Sequence, residues 1–155
     1  MRFPMTMPAA ERALCKELAA RGEGRDDLER TIARYSDFAF GGYRTRYEYP
    51  TREQFEQGRV DLLHSLEDFH IVRAFLLPVP KWDKFNRRFT SYTWKHIVER
   101  WAYEYISNGS LIVAAISLGF RVERVGDTPN AWLNIAAKYK LPGQYLPLLA
   151  QETAR

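Results

Sequence analysis

Between Ser91 and Tyr105, the apolar residues Trp94, Ile97, Val98, Trp101 and Tyr105 recur at steps of three and four, the period of a helix with one inward face. Leu14 and Leu18, with Ala10 and Ala13, predict an earlier helix over Ala9 to Arg21, entered after Pro8 and stopped by Gly22. Asp26 stands as the N-cap of a short helix through Leu28, Ile32 and Tyr35. Thr51 with Gln54 makes a capping box, and Phe55, Leu62, Leu63, Leu66 and Phe69 carry a helix from there toward Leu76. Gly58 weakens it locally, and Pro78 and Pro80 end it. The period changes to two in "YRTRYEY". Tyr43, Thr45, Tyr47 and Tyr49 fall on one face and Arg44, Arg46 and Glu48 on the other, which predicts an extended strand between Gly41-Gly42 and Pro50.

The stretch "YISNGSLIVAAISLGFRVERVGDTPNAWLNI", Tyr105 to Ile135, reads as a turn, a short apolar helix and a hairpin. Ser107 or Asn108 caps the helix from Ser110 to Leu118, and Gly119 closes it in the left-handed conformation. "RVERV" and "AWLNIA" form the strands around a turn containing Gly126, Asp127, Pro129 and Asn130. With the helix that opens at its Ser91 cap, this order resembles a winged helix. The expected fold is mainly α with a small β-hairpin, an α+β class ending in a winged-helix-like helix-turn-helix. Four regions follow: an N-terminal helical region with one extended segment over 1–77, a basic aromatic linker or loop over 78–89, the winged-helix-like module over 90–141, and a tail over 142–155. "QYLPLLAQETAR" in the tail predicts a last short helix.

Composition narrows the class. At 46% hydrophobic and 27% charged, the chain is that of a folded domain, and 14% aromatic content supplies a full core for 155 residues. No run approaches the roughly 18 to 20 apolar residues that span a bilayer, so no membrane partner is expected. The single Cys15 forms no internal disulfide, and "MRFPMTMPAAERALCKELAARG" has no signal-peptide core, which points to a reduced, cytoplasmic protein. Charge is unevenly placed. Residues 1–75 carry 12 Lys/Arg against 13 Asp/Glu, and residues 76–155 carry 11 against 6. A polyanionic partner would therefore meet the second half.

Within that half, Lys81, Lys84, Arg87 and Arg88 crowd beside Trp82, Phe85 and Phe89, a basic-aromatic interleaving that suits single-stranded nucleic acid or an acidic partner, and equally a loop whose aromatics anchor it to the core while its charges face water. Arg121 and Arg124 on the first hairpin strand extend the set toward phosphates, and Trp82 and Trp132 are candidate aromatic anchors. The helix that would read a major groove is unsuited to it: Leu111, Ile112, Val113, Ala114, Ala115, Ile116 and Leu118 leave only Ser110 and Ser117 as polar positions. Such a helix belongs in a core or beneath a partner, and a homodimer through it is one arrangement the pattern allows.

Catalytic signatures are sparse. His64 and His70 stand six apart, a poor spacing for shared ligation, and with one cysteine there is no zinc pattern, so no metal or cofactor is expected. "FGGY" lacks the Lys and Ser/Thr of a phosphate loop, and no Gly-x-Ser-x-Gly occurs. The densest polar cluster is Lys95, His96, Glu99 and Arg100 on adjacent helical turns. Its expected role is a hydrogen-bonded network joining this helix to the next rather than catalysis.

The pieces "SYTWKHIVER", "YISNG", "AAISLGF" and "PNAWLNI", between Phe89 and Ile135, resemble a short module of uncharacterised proteins from phages, plasmids and integrated elements of bacteria. The resemblance implies a mobile-element setting and defines no site residues. It favours a small non-enzymatic protein acting on a macromolecular target, most concretely an inhibitor of a host defence complex of the anti-CRISPR kind, with a host protein or nucleoprotein complex as partner. The alternative is a winged-helix-like DNA-binding regulator that uses the basic loop and hairpin.

Overall fold

A computed structural model describes residues 6–136 of the chain. Among these, six helices and two small antiparallel sheets make a mixed α+β fold. In chain order they are α1 (Ala9–Ala20), α2 (Arg25–Arg34), β1 (Phe38–Ala39), β2 (Gly42–Tyr43), α3 (Arg52–Leu63), α4 (Leu66–Leu76), β3 (Lys81–Thr90), α5 (Ser91–Ala102), α6 (Asn108–Ser117), β4 (Val122–Arg124) and β5 (Ala131–Ile135). The expected C-terminal helix and the tail over 142–155 lie outside the described residues.

The central element is α6. Every residue from Asn108 to Ala115 is buried, because α2, α4 and α5 surround the helix and β2 and β4 approach its ends. Full burial of Leu111, Ile112 and Val113 stabilises the fold by about 1.5–3 kcal/mol per side chain. Ser107 caps the helix by accepting a hydrogen bond from the Ser110 backbone N–H at 3.0 Å. Position 109 admits only glycine, since a β-carbon there would collide with the carbonyl oxygen of Ala39. The Gly109 N–H instead donates to the Phe40 carbonyl at 2.8 Å. One hydrophobic cluster runs from Met7 to Ile135 through all of these elements.

Several expectations are corrected. The segment over 78–89 is not a loop: Lys81–Thr90 is the longest strand described. It joins the expected hairpin to make a three-stranded sheet in the order β3-β5-β4, with β5 central. The β content thus exceeds a lone hairpin. "YRTRYEY" is not a strand beyond Tyr43. Its tyrosines share no face either, since Tyr43 is buried, Tyr47 is 82% exposed and Tyr49 turns back at φ 62°. The helix expected from Thr51 to Leu76 is two helices divided at His64 and Ser65, although the capping box at its start is present. Gly24, at φ 80°, rather than Asp26, precedes the first turn of α2, and Asp26 and Asp27 face the positive end of the helix from within that turn. Thr90 occupies the N-cap position of α5, and the Ser91 hydroxyl accepts from the Ala131 N–H at 2.9 Å.

Candidate functional site

The strand β3 lies at a sheet edge, with Lys81 opposite Ile135, Asn86 opposite Leu133 and Thr90 opposite Trp132. Ten residues of β3 therefore run beside the four from Trp132 to Ile135, and the surplus is taken up in two irregularities, before and after Asn86. Backbone that cannot stay in the ladder arches outward and twists the edge. Asn86, paired in the ladder, and Phe89 are buried, whereas Trp82, Asp83, Lys84, Arg87 and Arg88 stand in solvent.

The first irregularity is pinned by Asn134, which is buried on β5. Its Nδ2 donates to the Trp82 carbonyl at 2.8 Å, and its Oδ1 accepts from the Arg121 N–H at 2.7 Å. The Arg121 guanidinium reaches across to the Asp83 carbonyl. It also lies 5.3 Å from the Phe85 ring, and Arg87 lies 6.0 Å from that ring and 5.7 Å from Trp132. Lys84 Nζ stands 5.5 Å from the ring of Trp82. Each cation sits within the range at which a ring face attracts it. Arg87 also meets Glu123 at 3.4 Å, across from Trp132 in the register. The arrangement is an outward surface of rings and cations in alternation.

Of the residues singled out in the sequence, Lys84, Arg87, Arg121, Trp82 and Trp132 come together here. Lys81 lies at the far end of β3, its ammonium 4.7 Å from the Phe120 ring, and exposed Arg88 flanks the face over Phe89 at 5.2 Å. Arg124 does not belong. It donates to the Arg44 carbonyl at 2.7 Å and the Thr128 carbonyl at 3.2 Å, pairs with Asp127 at 3.2 Å and covers Tyr43, so it ties the hairpin turn to the segment after β2. Beneath it, burial pushes the Tyr43 hydroxyl up to about 12. Asn134 was missed in the sequence, where a single Asn inside an apolar strand reads as an interruption.

The cluster on α5 is built inward. Lys95 has a side chain only 7% exposed; its Nζ donates to Glu99 Oε1 at 2.8 Å and to the Ile106 carbonyl at 3.1 Å. Glu99 also accepts from the Ile106 N–H at 3.2 Å, and its second oxygen meets His96 Nδ1 at 2.8 Å. Tyr92 and Tyr105 bracket the ammonium at 5.6 and 4.7 Å. These contacts bind the end of α5 to the start of α6; Arg100 lies on the exposed side of the helix. The other polar residues of the block are used similarly: the Asn108 amide holds the carbonyl of Pro129 at 3.0 Å and the side chain of Asn130 at 3.1 Å, locking α6 to the hairpin turn.

Among the described residues, no group of three His, Cys, Asp or Glu is placed to hold a metal ion, and no helix is long and apolar enough to cross a membrane. Comparison with protein-family models, with curated proteins and with solved structures returned no match.

Proposed function

We propose that this protein is a non-enzymatic binding protein that uses the outer face of the three-stranded sheet to occupy a polyanionic target. The observation that carries the reading is the doubly irregular edge strand β3, which lifts Lys84 and Arg87 out of the ladder and sets them over Trp82 and Trp132. Lys84, Arg87, Arg88 and Arg121 on and beside this face stand against Asp83 and Glu123, four cations to two carboxylates, so the face attracts anions. In the mobile-element setting that the "SYTWKHIVER…PNAWLNI" block suggests, the concrete version is an inhibitor of a host defence complex that covers its acidic or nucleic-acid-handling surface.

A second reading, a winged-helix-like DNA-binding regulator, has support in the order α4-β3-α5-α6-β4-β5 and in the strand order β3-β5-β4. Against it stands α6, the element in the place of a recognition helix, which is buried from Asn108 to Ala115.

The test is retention on immobilised heparin over a salt gradient. The wild-type chain should elute at clearly higher salt than the triple variant Lys84→Ala/Arg87→Ala/Arg121→Ala, with unchanged circular dichroism. Equal elution of the two would sink the assignment of this face.

A further inference from the structure

We infer that the polyanion this face accommodates is single-stranded nucleic acid, laid along β3 with bases on the exposed rings and phosphates on Lys84, Arg87 and Arg121. This rests on the reading of the sheet face as an anion-binding surface, and three observations take it further.

The first is the pairing of ring with cation. Trp82 is 37% exposed, and Trp132 and Phe85 are half-buried, with Lys84, Arg87 and Arg121 within 6.0 Å of one or more of these rings. A polyanion without bases, or an acidic peptide, is satisfied by charges alone. A single strand uses both parts, because its unstacked bases lie flat on aromatic rings while its backbone follows the cations. A cation held over a ring keeps N–H groups available to phosphate oxygens, and Arg suits this dual contact.

The second is the hairpin tip. The turn between β4 and β5, Val125 to Asn130, contains no Lys or Arg and carries Asp127, whose side chain is 74% exposed. Arg124, the nearest cation, is turned back onto the Arg44 and Thr128 carbonyls. Arg124 is also paired with Asp127 at 3.2 Å, so a tip entering the groove of a duplex would bring no free cation to the two phosphate rows.

The third is α6. Its burial leaves no helix at that place in the fold to fill a major groove. The helix that would engage a duplex is thus closed and the hairpin tip has no free cation, while the features suited to unpaired bases are exposed.

The experiment compares three probes with the full-length chain: labelled oligothymidylate, its duplex with oligoadenylate, and heparin, which has the charge without bases. Trp94 and Trp101 are only 1% and 2% exposed, so quenching of tryptophan emission by a bound oligonucleotide reports Trp82 and Trp132. Oligothymidylate should bind more tightly than the duplex and quench emission. Trp82→Ala should weaken oligothymidylate binding about tenfold, Trp82→Phe should largely restore it, and heparin binding should be unaffected by either change. A duplex bound as tightly as the single strand, with Trp82→Ala silent, overturns the inference. Heparin binding that needs Lys84 and Arg87, without preference for oligothymidylate, overturns it too but leaves the polyanion reading standing. Failure of all three probes at low salt removes both.

Discussion

The Lys95–Glu99 cluster on α5 and the face of β3 are made from the same kinds of residue, cations beside aromatic rings, and are put to opposite use. In the first, a lysine ammonium lies between two tyrosines and is fully engaged by a carboxylate and a carbonyl. In the second, Lys84 and Arg87 lie over rings but are directed to solvent, with Glu123 at 3.4 Å from Arg87 as a long counter-contact. A buried charge must have its partners within the fold, whereas an exposed one can still take a ligand. Composition does not separate the two regions; the count of partners does.

The largest effect should come from breaking the inward cluster. Glu99→Gln removes the countercharge of buried Lys95, and losing one member of a buried pair costs about 3–5 kcal/mol. A thermal melt of this variant should show a drop of many degrees, and a variant as stable as wild type would dissolve the contrast. Gly109→Ala should come next. It forces a methyl group against the Ala39 carbonyl at the start of the buried helix, and overpacking of this kind costs about 1–3 kcal/mol or more. Denaturant titration would read it, with Ser117→Ala, half-buried near the other end of α6, as the mild control.

Near the cluster, on α4, Asp68 sharpens the comparison. Burial first, then Glu104 and Glu67, and more weakly Glu99, push its carboxyl up to about 7, against the pull of Arg12. Arg12 itself is committed to Glu67 at 2.7 Å and Glu104 at 2.6 Å. Because the folded chain holds the Asp68 proton more tightly than the unfolded chain, this group's contribution is fully present below about pH 4 and is lost as pH rises through 7. Asp68→Asn cannot ionise. Relative to wild type it should therefore gain stability between pH 5 and pH 8. Urea midpoints of both proteins at those two pH values give the difference directly, and a constant gap would rule out the shifted carboxyl.

Much of this fold is legible in the sequence where local chemistry decides the structure. The Thr51–Gln54 capping box, the Ser107 cap, Gly119 at φ 86° and the hairpin around Asp127 and Pro129 all depend on neighbours within a few residues. The apolar character of α6 likewise announces its burial, but not that α2 and α4 from the distant first half would cover it. β3 is illegible for a definite reason. Its two irregularities break the period of two, so "KWDKFNRRF" shows no alternation although it is a strand. The pattern in "YRTRYEY" misleads the other way: the alternation is there, but beyond Tyr43 no neighbouring strand pairs with it. The charge of Arg124 could be read, but its capture by the Arg44 carbonyl, 80 positions away, could not.

The smallest expected effect on stability is the one that most directly tests the outward face. Lys84→Ala and Arg87→Ala remove exposed cations whose contacts are rings at 5.5 to 6.0 Å and one half-exposed carboxylate. Exposed pairs of this kind contribute about 0–1 kcal/mol, so the melting temperature should fall by no more than about 4 °C. If these residues serve a ligand, the same two changes should strip most of the salt-dependent retention on a polyanion, because each removes a cation that displaces counterions on binding. A face that helps hold the fold would show the reverse, a clear loss of stability with binding little altered. Measured on one pair of variants, the two readouts tell apart a charge kept for the fold and a charge kept for a partner.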